Sequence, residues 1–314
     1  MKKIALCLLL PLFAQVLAAQ EAEAYAGIES SPGLVLQATT SPAVKLIFNW
    51  NFTIPFLQGD SPFTQGNNIR ITPGLEITPV NFNLTANAVW TPIAFAEIVA
   101  SGMIGSGWSM AFFGSELHGI GLNLPGYDGN AVHDGSAFDG VFGEALFGAA
   151  IQGDVAAVFP GPWNHLVFRS FHGVSFAAYS RARSGQAWFF ENDEGENRNG
   201  FSYRGNLLIG YQMPIFLNMV AVMAEAERFL TTMPGGSQWG DDMLRWTFSG
   251  VLSFAVAEGF EVALVTQFWT RRNFVPSVGT QPYLHFTNRT LDTSMSRLRR
   301  LEFYRLVLAL TYRL

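Results

Sequence analysis

Residues 301–314 read LEFYRLVLALTYRL, and their period is two. The even positions carry Tyr304, Leu306, Leu308, Leu310, Tyr312 and Leu314, while the odd positions carry Phe303, Arg305, Val307, Ala309, Thr311 and Arg313. Successive side chains of a strand point to opposite faces, so this stretch is expected to form a β-strand with one apolar and one mixed face. A helix would need its apolar residues three and four apart.

The same dyad recurs upstream. In residues 43–56, AVKLIFNWNFTIPF, one face is Val44, Leu46, Phe48, Trp50, Phe52, Ile54 and Phe56, and the other is Lys45, Ile47, Asn49, Asn51 and Thr53. An apolar face this long with asparagines behind it fits a wall between lipid and water. Residues 68–78, 80–92, 242–256 and 259–272 repeat the pattern, with turns at 78–80 (ThrProVal) and 257–259 (AlaGluGly).

Composition points the same way. The chain is 49% apolar and 14% aromatic but only 14% charged, with a net charge of −5; globular domains average roughly 25% charged residues. The N-terminus has Lys2 and Lys3, an apolar run from Ile4 to Leu17, then Ala18 and Ala19, the order of a secretory signal peptide. Residues 1–19 are therefore expected to be removed, and Cys7, the one cysteine, with them. The mature chain would then have no disulfide or thiolate metal site. Beyond that run no apolar stretch reaches the roughly 20 residues of a transmembrane helix, which leaves a closed barrel as the way to place such strands in a membrane.

The expected fold is all-β, a transmembrane antiparallel up-and-down barrel of about twelve strands: 43–56, 68–78, 80–92, 93–104, 108–122, 140–159, 164–183, 200–213, 216–231, 242–256, 259–272 and 301–314. Ten to fourteen strands remain open, and 33–41 is a possible additional strand. The domain division is signal peptide 1–19, a short periplasmic segment 20–42 and the barrel 43–314. Short connections (78–80, 105–107, 160–163, 213–215, 257–259) are assigned to one side, and long ones (57–67, 123–139, 189–199, 232–241, 273–300) to the other.

The terminal strand resembles the C-terminal signal of outer-membrane β-barrel proteins of the Gram-negative type, through Tyr304, Leu306, Leu308, Leu310, Tyr312 and Leu314. The class usually ends on phenylalanine, and Leu314 departs from it. The resemblance implies residence in the cell outer membrane, contact with outer-membrane lipid and recognition by the barrel assembly machinery during biogenesis.

Alternation places Lys45, Arg70, Arg169, Arg204, Arg245, Glu261 and Arg305 on the inner face as candidate pore-lining residues. Lys45, Arg70 and Arg305 lie on strands that become neighbours on closure, so a basic wall favouring anions is one expectation. Pairing of these bases with Glu76, Glu144, Asp154 and Glu261 is the other. The leading functional expectation is a passive, porin-like channel for small polar or anionic solutes. The alternative is a surface receptor or adhesin whose long loops bind an extracellular ligand, with Tyr127, Phe138, Tyr283 and Phe286 as contact aromatics. An outer-membrane hydrolase ranks behind both. His172 and Ser175 are an odd number apart and face opposite sides, while His133, Asp134, Asp241 and Asp242 lie in two loops. No pattern for a cofactor, a metal or nucleic acid stands out.

Overall fold

The computed structural model describes residues 27–41, 43–112, 115–191, 193–275, 285–294 and 299–313. The expected signal peptide 1–19, Tyr283 and Leu314 lie outside the described residues. Twelve antiparallel strands close into one barrel. They are β1 (Glu29–Thr39), β2 (Ala43–Pro55), β3 (Asn68–Ile77), β4 (Asn81–Ile93), β5 (Ala96–Gly107) and β6 (Phe142–Asp154). The second half holds β7 (Leu166–Tyr179), β8 (Gly200–Gln212), β9 (Leu217–Phe229), β10 (Arg245–Ala257), β11 (Phe260–Arg272) and β12 (Arg299–Arg313). Each pairs with its chain neighbours, and β1 closes on β12 from Gly33↔Arg313 to Thr39↔Val307. Closure satisfies the backbone groups that an open edge would leave unpaired.

The dyad produces two unlike surfaces. Outward residues stay exposed and apolar, such as Leu84 at 51%, Phe147 at 66% and Val222 at 62%. Inward residues are buried or half-buried; many are polar, as with Lys45, Asn83 and Arg169, and others are apolar, as with Met219 and Val307. A continuous apolar belt of this extent is far beyond what a water-facing surface carries.

Strand number is as expected, but membership differs. Residues 108–122 are not a barrel strand: they form a small hairpin, Ser109–Phe112 with Ser115–His118, followed by Ile120–Pro125 of a separate loop sheet. Large residues are present there, but Ile120 and Leu122 are buried against Trp188 and Phe190 and do not form an outward row. The barrel gains Glu29–Thr39 instead, so the proposed periplasmic segment 20–42 contains a wall strand. Its dyad is short, with Leu34, Leu36 and Ala38 outward and Val35 and Gln37 inward. GlySerGly at 105–107 ends β5 rather than forming a turn.

This exchange reverses the expected side of two connections. Residues 56–67 lie at the same end of the barrel as the chain termini, and the tight turn at 78–80 lies at the long-loop end. The long connections 108–141, 180–199, 230–244 and 273–298 all leave from that second end.

One register detail also differs. The β11–β12 pairing shifts between Gln267↔Arg305 and Phe268↔Phe303, so β12 carries one extra residue there. Phe303 consequently faces outward, 56% exposed, while Tyr304 stacks on Trp269 with ring centroids 4.3 Å apart. Tyr304 thus leaves the apolar row that Leu306, Leu308, Leu310 and Tyr312 continue.

Candidate functional site: the barrel interior and its cap

The inner face holds charges in discrete clusters. Near the terminal end, Glu97 of β5 sits between two guanidinium groups. Arg70 Nη2 lies 2.6 Å from Glu97 Oε1, and Arg169 donates from Nε and Nη2 to Glu97 Oε2 at 3.0 Å each. Near the long-loop end, Lys45 Nζ lies 2.7 Å from Glu76 and 2.9 Å from Glu191. Across the barrel, Arg204 reaches Glu227 at 2.8 Å and Glu144 at 3.3 Å. Buried pairs hold because each charge that loses water finds an opposite charge or a directed hydrogen bond.

All seven proposed lining residues are therefore on the inner face, and all are engaged. Arg245 pairs with Glu196 at 3.4 Å. Arg305 donates to Gln267 at 2.6 Å, which in turn donates to Ser249 at 3.1 Å. Glu261 accepts from Ser253 and lies 3.9 Å from Arg313. The bases do not form one wall: Arg70 pairs across from Thr53, which lies eight residues along β2 from Lys45, about 26 Å at strand rise. Glu97, Glu191, Glu196 and Glu227 are partners that the sequence reading did not name.

Two apolar clusters occupy other parts of the interior. Val167, Leu208, Met219, Ala221, Met223, Val251, Val265 and Val307 pack together over β7–β12, and Val89, Val99, Leu146, Ala150 and Phe171 over β4–β7. The wall formed by β1–β5 is different: Asn49, Asn51, Thr85, Asn87 and Ser101 point inward and remain only half-buried.

A cap folds over the long-loop end. Residues 197–198, 187–190, 120–125 and 131–134 form a four-stranded sheet. Its Ile120, Leu122, Trp188 and Phe190 pack on Phe142, Ala177 and Tyr179, which belong to inward rows of β6 and β7. A second contact joins Ala187, Met233, Trp239 and Phe286 from three loops. From this cap Glu191 reaches into the barrel, where its Oε1 also accepts from Asn83 Nδ2 at 3.0 Å. Glu191 is 2% exposed and adopts φ 51, a left-handed backbone that is unusual for a residue with a side chain. Strain of this kind persists where the surroundings over-determine it.

A half-buried histidine pair joins the hairpin to the cap. His118 and His133 stack with centroids 3.8 Å apart, against Phe189. Burial and the neighbouring His118 pull the His133 imidazole down to about 4, although Glu116 and Asp134 act in the opposite sense. A base with a lowered pKa binds its proton better once released, so acidification favours an opened cap. The cap is expected to lose protection as pH falls from about 6.5 toward 4. Amide hydrogen exchange of residues 118–134, compared between wild type and His133→Phe, checks this: the substitution should flatten the pH dependence.

The candidate hydrolytic groups do not assemble as spaced in the sequence. Ser175 faces inward and its Oγ lies 2.8 Å from Ser202 Oγ. His172 faces outward, with Ser170 Oγ 3.2 Å from its Nε2 and the Tyr203 hydroxyl 2.8 Å from its Nδ1. Ser170, two residues before His172, shares its face by simple alternation. Asp241 is buried against Arg198, Asp242 lies 3.9 Å from Arg228 at the surface, and His133 is committed to its stack.

No family model and no curated protein matches the chain. Among solved structures it is similar to the β domain of the Bordetella autotransporter Brka, at 10% identity over 91% of this chain and 98% of that one, TM-score 0.40. It is similar also to the translocator domain of the autotransporter NalP from Neisseria meningitidis, at 9% identity over 99% and 97%, TM-score 0.40. A third is OmpF of Salmonella typhi in complex with daunomycin, at 7% identity over 91% and 97%, TM-score 0.31.

Proposed function

We propose that this chain is an integral outer-membrane β-barrel that acts as a passive channel for small polar solutes. The observation that carries the reading is the pairing of an apolar outer belt with an inner stretch of β2, β4 and β5 (Asn49, Asn51, Thr85, Asn87 and Ser101) that is polar and half-buried rather than packed. In this reading lipid covers the outer face, the assembly machinery engages the β12 row Leu306, Leu308, Leu310 and Tyr312, and the long loops face the outside. The anion preference drops out. Among the described residues Lys45, Arg70, Arg169 and Arg204 are each held by carboxylates, which argues against a basic wall that selects anions.

Planar bilayers under a salt gradient test the reading. Folded protein is expected to give discrete current steps with a reversal potential near zero. A folded barrel that stays silent under every condition would overturn the channel. The receptor reading draws on Tyr127 and Phe138, which stand exposed at the long-loop end; in that case loop deletion removes ligand binding.

A further inference from the structure

The β1–β5 wall carries two consecutive cross-strand rows without a charge. The first runs Ser31, Asn51, Thr72, Asn87 and Ser101: Ser31 opposes Asn51, Thr72 opposes Asn87, and Asn87 opposes Ser101, while Thr72 Oγ1 donates to Asn51 Oδ1 at 2.9 Å. The second runs Gly33, Asn49, Gly74, Thr85 and Met103, each opposite the next. Its glycines are there for close approach. A Cβ at Gly33 would stand 2.6 Å from Asn49 Oδ1, and one at Gly74 would stand 2.5 Å from Thr85 Oγ1. Polar side chains therefore lie flat across neighbouring glycines, which keeps this wall recessed.

Charge flanks the rows but is internally paired. Lys45, Glu76 and Glu191 close the long-loop side, and Arg70, Glu97 and Arg169 the terminal side. Between them, amides and hydroxyls offer donors and acceptors interleaved at strand spacing. Asn87 Oδ1 is buried with no hydrogen-bond partner among the described residues.

Resting on the channel reading above, we infer that this recessed wall is a path for uncharged, polyhydroxylated solutes of the monosaccharide class. A sugar hydroxyl both donates and accepts, as the wall groups do, so it can exchange water for wall contacts step by step. An ion entering the same stretch sheds hydration and meets no uncompensated counter-charge.

Liposome swelling tests the assignment with glucose, gluconate and glucosamine, which are close in size and differ in charge. Glucose is expected to enter fastest. Gly74→Val, which drives Thr85 off the wall into the lumen, should slow glucose about tenfold, the factor that roughly 1.4 kcal/mol of added barrier gives. Thr85→Val keeps shape, removes one hydroxyl, and should reduce the preference for glucose; it decides the matter if the glycine variant does not fold. Folding is scored by heat-modifiable migration. Equal entry of all three solutes, or unchanged glucose entry in folded variants, overturns the inference and leaves the channel standing. No entry of any solute together with silent bilayers overturns both.

Discussion

Glu191→Gln is expected to raise the fraction of time for which the proposed channel conducts. The substitution keeps the shape of the side chain while removing the charge that Lys45 faces at 2.9 Å and that Asn83 donates to at 3.0 Å. Hydrogen bonds to charged groups contribute about 1.5–3 kcal/mol, so losing this contact shifts the balance between seated and lifted cap by about 10- to 100-fold. Glu191→Gly separates the two properties of the residue, because glycine accepts φ 51 freely while supplying no carboxylate. Both variants should raise open probability in planar bilayers. If neither does so while wild type conducts, Glu191 is a structural tether of the cap and not its latch.

Glu97→Gln should have the largest effect on stability. Glu97 is 2% exposed and is the carboxylate held between Arg70 and Arg169. Removing one member of a buried ion cluster costs about 3–5 kcal/mol, since the remaining charges stay desolvated without their counter-charge. Urea unfolding in micelles should register that loss. The same variant leaves two guanidinium groups facing the lumen, so barrels that do fold should show a reversal potential displaced toward anions. Loss of stability without that displacement would mean that the terminal-end cluster lies off the conducting path.

What was legible in the sequence follows from how far each feature depends on neighbours distant in the chain. The Val44–Phe56 row could be read because outward residues are large and apolar while inward ones are polar, and lipid-facing alternation needs no knowledge of partners. Glu29–Thr39 was harder: only Leu34, Leu36 and Ala38 mark its outer face, and what makes it a wall strand is pairing on both sides. Residues 108–122 fail as a wall strand for a related reason, since their hydrophobic residues are spent on the cap, with Ile120 and Leu122 buried under Trp188 and Phe190. The displacement of Tyr304 from its row depends on one extra residue in pairing with β11, which no single-strand pattern reveals.

The candidate site divides along the same line. Lys45, Arg70, Arg169, Arg204, Arg245, Glu261 and Arg305 could be placed inward by parity alone. Their neutralisation could not be read, because Glu97 lies in a stretch whose Gly and Ala blur the dyad and Glu191 sits in FFENDEGENRN, which looks like any solvated loop. Its burial arises only once that loop folds back on strands more than a hundred residues away in sequence.

The seam between β1 and β12 joins the two ends of the barrel sequence. In an apolar surrounding, any chain fragment that lacks residues 301–313 exposes one unpaired edge on β1 and another on β11, each a row of backbone amides and carbonyls with neither water nor a strand to meet them. Intermediate states between no sheet and a whole ring are thus heavily disfavoured. Synthesis can supply the strands one after another, but on the membrane reading insertion is expected to wait for the final strand.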